Sequence, residues 1–352
     1  MASYQTVLQV GIALDPIHVG TGGTRIGRVE LTIVRDPVTR VPKIPGSSLA
    51  GVYRTYVAMH HEEERPKRSQ GGQQVRCKPF YPDCAGLGLD KDGGHCARAD
   101  CPVCTVFGFA RGKDQAGGFA GLAAFTDAHV LLFPVPTRQG PRWVTCPDAL
   151  RLVWSEDPGV GKDAVYLGEK SPNPLNSGWL LLPVETCKKF QKIITYLSEL
   201  GIPDFIRQRL ALVPDRLFAH IVNSNLEVRT SVSIDPETGA AEDKALFSYE
   251  ALPRGTVVVW EVIAKNPKHF RVDGQEISAQ VNGNQINDPS RVFDVTQKAH
   301  PYLEHLGMGG MGTRGMGRLK VYIPNRPQTA KPVDCCASTR TAAVATEPEP
   351  TS

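Results

Sequence analysis

Three cysteines, Cys96, Cys101 and Cys104, stand close together in "HCARADCPVC", residues 95–104, with Cys77 and Cys84 upstream. Three thiolates at that spacing plus one more donor make a structural zinc site, the usual reading of such a cluster in an intracellular chain. Cys84 is the nearest fourth ligand and Cys77 the next choice. His95 is constrained by its neighbour Cys96. The plainer alternative is a set of buried cysteines without a ligand. A catalytic zinc fits poorly, because four thiolates leave no open position for water.

Two further stretches and one carboxylate invite chemistry. In "PGSSLAGVYR", Ser47 and Ser48 follow a proline and a glycine where a helix begins. Serines there cap the helix, and a helix N-terminus also suits a phosphate. "GMGGMGTRGMG", residues 307–317, is rich in glycine but lacks the Gly-Lys-Ser/Thr ending of a P-loop, and it precedes a strand rather than a helix. It reads either as a cradle for a polynucleotide backbone or as a merely flexible loop. Glu30 lies in an alternating run, with Val29, Leu31 and Ile33 facing a core and Arg28, Glu30 and Thr32 facing out.

The elements that must position these residues are legible in outline. Leu8, Val10, Ile12 and Leu14 alternate, predicting a half-buried strand over 4–14. Residues 28–34 predict a second strand. Leu49, Val52, Tyr53, Tyr56 and Val57 form a helical stripe after Ser47 or Ser48. "GLAAFTDAHVLLFPVP" reads as a strand pair, "KKFQKIITYLSEL" as an amphipathic helix, and "TVVVWEVIA" as a buried strand. Residues 221–234 and 245–249 flank the polar "DPETGAAEDK" as a long hairpin. Strands and helices mix without a regular βαβα beat, so the expected class is α+β with antiparallel sheet, a modified ferredoxin-like core with insertions.

The chain has 352 residues, 41% hydrophobic and 22% charged, which is ample for a sizeable core. A net charge of +4 tolerates an anionic partner without demanding one. No run is long and apolar enough to predict a transmembrane helix, so no membrane partner is expected. Nine cysteines in a chain with no readable export signal fit a cytoplasmic location. Residues from about 325 are rich in Pro, Thr, Ala and Glu and predict a disordered tail.

In order along the chain, "HVGTGG", "VELTIVRDPVTRVPKIPGSSLAGVYR", "CPVCTVFG", "GLAAFTDAHVLLFPVPTRQGPRWVTCP" and the terminal glycine loop resemble the RAMP proteins, the RNA-binding subunits of CRISPR effectors. The nearest resemblance is to the repeated backbone subunit of type III complexes. "FTDAHVLLFPVPT" and "VRTSVSIDPETGAAEDKALFSYEALP" are similar to the Cmr-type backbone protein, "CPVCTVFG" to the Csm-type one. The resemblance covers residues 5 to about 324.

It implies an RRM-like palm with a thumb hairpin at about 225–253 and a zinc-binding insertion. The first part of the palm spans 1–59, the insertion 60–118 and the rest of the palm 119–324, with 325–352 as tail. Copies of the chain multimerise along one CRISPR RNA with other effector subunits, and the thumb separates guide from complementary target RNA at regular intervals. The resemblance sets Ser47, Ser48 and Arg54 on the guide-binding helix and His18 beside the cleavage site. Lys43, Gly309, Gly310, Thr313, Arg314 and Gly315 complete the expected RNA-binding set.

Two departures bear on function. The family often reads Ser-Leu-Lys-Gly where this chain has Ser48-Leu49-Ala50-Gly51, so one phosphate-binding cation is missing. The family's target-cleaving aspartate aligns with Glu30, and Thr32 replaces a common proline. Cleavage in the family is attack of a ribose 2′-OH on its own phosphate with a divalent metal, Mg2+ or Mn2+. A carboxylate one methylene longer is displaced by about 1 Å, enough to cost on the order of 10²-fold in rate. Two readings follow, a metal-dependent endoribonuclease and a non-cleaving scaffold. A reading of another class is a stand-alone zinc enzyme built on Cys96, Cys101 and Cys104.

Overall fold

A computed structural model describes residues 2–22, 29–64, 69–70, 73–74, 80–86, 95–110, 117–241 and 246–324. Arg28, Cys77 and the expected tail lie outside the described residues.

A large mixed sheet runs through the molecule. Its strands lie side by side in the order Val184–Thr186, Val165–Leu167, Leu210–Leu212, Arg142–Thr145, Ala128–Val135, Val257–Lys265, Tyr4–Ala13 and Leu319–Tyr322. Short strands at Lys43–Ile44 and Ala123–Phe125 add to it. The centre is antiparallel, with Tyr4 opposite Lys265 and Ile12 opposite Val257. Two outer pairs are parallel, Val184–Thr186 with Val165–Leu167 and Leu210–Leu212 with Arg142–Thr145. The expected antiparallel sheet is therefore corrected to a mixed one, antiparallel at its centre. The hairpin Leu175–Ser177 with Leu180–Leu182 lies in the first connection, and the helices Pro147–Arg151, Phe190–Glu199 and Asp204–Arg207 lie in the second, each long enough to return the chain in the same direction.

The first strand is buried on both faces, not one. Val7 and Ala13 enter one core and Val10 and Ile12 the other. The sheet is covered on both sides, and a covered central strand needs apolar residues on both faces. On one side lie α1 (Gly46–Glu63), α2 (Pro102–Phe107) and the helix Pro289–Gln297, through Leu49, Tyr53, Val57, Val103, Val106 and Phe293. On the other lies the predicted amphipathic helix, Phe190–Glu199, through Ile193, Tyr196 and Leu197.

The segment that alternates at 28–34 is not a regular strand. It runs extended and pairs by isolated bridges, Leu31 with Tyr249, Ile33 with Gly20 and Arg35 with Pro42. Alternate residues therefore reach different neighbours, which alternation alone does not distinguish from one ladder. A hairpin forms, with Glu227–Ser231 antiparallel to Phe247–Ala251, but residues 221–224, expected as strand, end the helix Asp215–Ser224, and residues 242–245 lie outside the described residues. Val228, Ile234 and Leu246 on it are more than half exposed, at 53%, 52% and 63%.

α1 begins at Gly46, with Pro45 at the cap position and no side-chain cap. Ser47 and Ser48 thus sit inside the first turn, and the expected serine cap is corrected. Gly46 explains the register. A Cβ there would lie 2.4 Å from the Phe125 carbonyl oxygen, so only glycine lets the helix start against that strand. α1 also runs through to Glu63, across the boundary expected at 59/60.

Candidate functional site

Cys84, Cys96, Cys101 and Cys104 come together, their sulfurs all within 4.8 Å of one another. Two short elements bring them there. Cys84 lies in the 3-10 turn Asp83–Ala85, and Cys101 caps α2, its sulfur accepting from the Cys104 N–H at 3.4 Å. The Cys96–Cys104 and Cys84–Cys101 sulfur separations are 3.7 and 3.9 Å. Zinc–sulfur bonds of about 2.3 Å in a tetrahedron set sulfurs about 3.8 Å apart, so this donor set fits a four-thiolate metal site. Burial pushes the Cys101 thiol well above its ordinary pKa, whereas the neighbouring thiols hold Cys104 down. His95 is turned elsewhere. Its Nδ1 meets the Arg54 guanidinium at 2.8 Å. Cys84, Cys101, Val103, Cys104 and Val106 are buried in the same core as Leu49 and Tyr53, so the cluster is packed into the body of the protein.

Arg54 belongs to this cluster. Its Nε donates to the Cys84 carbonyl at 2.7 Å. It shares a face of α1 with Ser47 and Gly51, by helical spacing, but its guanidinium is turned to the cysteines. Lys43 is likewise engaged, 2.6 Å from Asp127 and 3.8 Å from Asp36. Asp127 also accepts the Gly46 N–H at 2.8 Å, at the mouth of α1. That pairing raises the Lys43 pKa, and Lys43 first and the Gly46 N–H second lower that of Asp127. Ser47 is exposed and Ser48 half-buried beside them.

A second junction gathers the loop at His18, the Glu30 segment, the hairpin strand Phe247–Ala251 and the glycine loop. The Glu30 carboxylate accepts from the Ser248 backbone N–H and, at 2.9 Å, from its hydroxyl. The backbone bond first and the hydroxyl second lower the Glu30 pKa. His18 is buried, its Nδ1 2.6 Å from the Glu250 carbonyl and its ring edge-on to Tyr249. Gly310 N donates to the His18 carbonyl at 2.8 Å. Gly309 has φ +82°, and a Cβ there would lie 2.3 Å from that same oxygen. These glycines bring backbone against backbone. The tip differs. Thr313, Arg314 and Gly315 are exposed, and Arg314 lies over the Phe247 ring at 5.5 Å. The expected residues therefore fall into three places, the α1 mouth, the His18–Glu30 junction with the glycine tip, and the cysteine cluster.

A family model of the RAMP superfamily matches residues 12–320. The chain belongs to this superfamily. It is 24% identical over 329 residues to the CRISPR system Cmr endoribonuclease Cmr4 of Pyrococcus furiosus, spanning 88% of this chain and 92% of that protein. Over 49 residues it is 45% identical to the CRISPR system Cms endoribonuclease Csm3 of Enterococcus italicus, 13% of this chain and 23% of that one. Among solved structures, a chain of the type III-B Cmr-beta complex in its apo state matches with a TM-score of 0.55 and 16% identity, covering 91% of this chain and 97% of that one. Oligomeric Cmr4 from Pyrococcus furiosus gives 0.53 and 18%, covering 90% and 98%. These structures share the fold, and the mixed central sheet is that of the RAMP palm.

Several residues of this RAMP protein's junctions escape a reading of the sequence. Asp127 closes the α1 mouth from the short link between the strands Ala123–Phe125 and Ala128–Val135, far along the chain. Glu250 accepts from Arg35 at 2.8 Å, and Arg35 also donates to Asn223 at 2.8 Å. Ser248 holds Glu30. The alternation in "LFSYEA" marks Phe247 and Tyr249 as one face, but nothing local says that Ser248 meets a carboxylate 218 residues away.

Proposed function

We propose that this protein is the CRISPR RNA-binding backbone subunit of a type III-like RNA-targeting effector, repeated along the guide and assembled with target RNA and the other effector subunits. The observation that carries the reading is the near-full-length likeness to the Cmr4 endoribonuclease, 92% of which the chain spans. Guide affinity comes from the phosphate backbone and helical shape, since the guide itself supplies sequence. Ser47 and Ser48 at the α1 mouth and Thr313, Arg314 and Gly315 at the glycine tip are the surfaces open to that backbone. The hairpin is the thumb. Its exposed Val228, Ile234 and Leu246 suit insertion between bases rather than contact with water. Purification of the assembled complex, followed by extraction and sizing of its nucleic acid, tests the reading. RNA of uniform length is expected, and protein free of RNA with activity on a small molecule overturns it.

Within that role, the scaffold reading is favoured over efficient cleavage. Both Ser248 donors are spent on the Glu30 carboxylate, so the group aligned with the family's cleaving aspartate is held by the thumb strand. The cysteine cluster holds a structural zinc. Its four sulfurs, all within 4.8 Å of one another, would fill the four positions of a tetrahedral zinc and leave none for a reacting water, which argues against a stand-alone zinc enzyme. When bound, the metal supplies folding energy to a cysteine-bearing segment built of short turns.

A further inference from the structure

Arg54 sits where a cation has no ordinary partner. It is half-buried in the third turn of α1, and no carboxylate pairs with it among the described residues. Its Nε is spent on the Cys84 carbonyl at 2.7 Å and one terminal nitrogen on His95 Nδ1 at 2.8 Å. Because guanidinium only donates, His95 must offer the Nδ1 lone pair and carry its proton on Nε2. Neither partner carries the negative charge that a partly desolvated guanidinium requires. Both partners flank the sulfurs, since Cys84 is one of the four cysteines and His95 is the neighbour of another, Cys96.

The cluster has the complementary deficit. A divalent ion cancels only two of four thiolate charges, so a filled four-cysteine site remains anionic. Such a site is stabilised by N–H groups and cations around its sulfurs, and the partners that surround a metal's ligands tune its affinity. Backbone N–H groups already supply part of this, as from Cys104 N to Cys101 Sγ at 3.4 Å. The other nearby arginine, Arg98, is held by Asp100 at 2.8 Å.

We propose that Arg54 is the counter-charge of the thiolate cluster, a positioning residue that holds the metal site from α1, rather than a contact to guide phosphate. This rests on the structural-metal reading above. The consequence is that the helix carrying Ser47 and Ser48 is fastened to the metal site through one side chain, two turns from its mouth.

The test uses the full-length chain and its Arg54→Gln and Arg54→Lys variants. Zinc release to a chromophoric chelator is followed, and the thiolate-to-metal charge-transfer band is recorded after cobalt(II) substitution. Arg54→Gln should lose zinc about 10–100-fold faster than wild type and shift the cobalt band. Arg54→Lys, which keeps the charge, should lie between the two. The salt dependence of guide RNA binding should be unchanged in both. Equal zinc release in wild type and Arg54→Gln overturns the proposal, and a salt slope lower by about one in that variant then identifies a phosphate contact. If Arg54→Gln does not fold, Arg54→Met, which also removes the charge, takes its place. An unshifted cobalt band with unchanged zinc release in Arg54→Met, at wild-type melting temperature, overturns the counter-charge role. Wild-type protein that holds no metal overturns the metal reading and this proposal with it, whereas metal held equally by all three chains overturns the proposal alone.

Discussion

At Glu30 the proposed scaffold role turns on one methylene and one hydrogen-bond partner. A carboxylate that activates a hydroxyl or binds a divalent ion must have free lone pairs at the reacting distance. Here both Ser248 donors fall on one oxygen, Oε2, and hold the carboxylate against the hairpin strand. The assembled complex should therefore bind complementary RNA and cut it weakly or not at all with Mg2+ or Mn2+. Glu30→Asp, whose shorter chain withdraws from Ser248, should bring in regularly spaced cuts, read with end-labelled target. Cuts in the wild type that persist in Glu30→Ala would remove Glu30 from the chemistry. At the same junction, Gly309→Ala should cost on the order of 2–4 kcal/mol in denaturant unfolding, because a Cβ meets the His18 carbonyl and φ is positive. Gly312→Ala, in open space a few residues on, should stay within about 0.5 kcal/mol. Equal losses at the two positions would contradict the close-packed base and open tip of this loop.

Among the elements, α1 is the hinge of the design. Its apolar stripe faces the sheet, its mouth is fixed by Gly46 and Asp127, and its flank meets the cysteine cluster. α2 is one of the short pieces that carry the cluster. Its six residues cannot hold a helix by propensity alone, so packing must do so, helped by the metal proposed above. Cys101→Ser or Cys104→Ser should reduce soluble protein severely, and metal analysis of native protein should find about one zinc per chain. Native protein without zinc, or soluble and stable serine variants, would show that apolar packing around Val103 and Val106 suffices.

At the scale of the whole molecule, the polar hairpin projects apolar side chains that the monomer leaves uncovered. Exposed positions contribute little to folding, so Ile234→Ser with Leu246→Ser should change monomer stability by no more than about 0.5 kcal/mol. The assembled complex carrying both should capture complementary RNA less well, while its guide content stays at the wild-type level. Measuring retained guide and captured target in one pull-down separates the two effects. A parallel loss of guide would place these residues on the assembly surface instead of the thumb.

Much of this protein was decided locally. The apolar alternation of residues 4–13 and 257–265, the stripe of α1 and the amphipathic helix at 190–199 follow from side-chain period, which is a property of neighbours in sequence. The cysteine spacing chose its own chemistry for the same reason, since Cys101 and Cys104 lie one helical turn apart. What tertiary structure decided was pairing across long separations. Alternation cannot say whether a strand has one covered face or two, and the first strand has two. It cannot distinguish a ladder from the scattered bridges of residues 29–35. Nor does a serine after a glycine announce that Pro45 and Asp127, rather than its own hydroxyl, finish the helix. Glu30, Lys43 and Arg54 each have a charge legible in the sequence. Only the fold assigns their partners, Ser248, Asp127 and the cysteine cluster, because a charge fixes what a side chain needs and not which distant group is brought within reach.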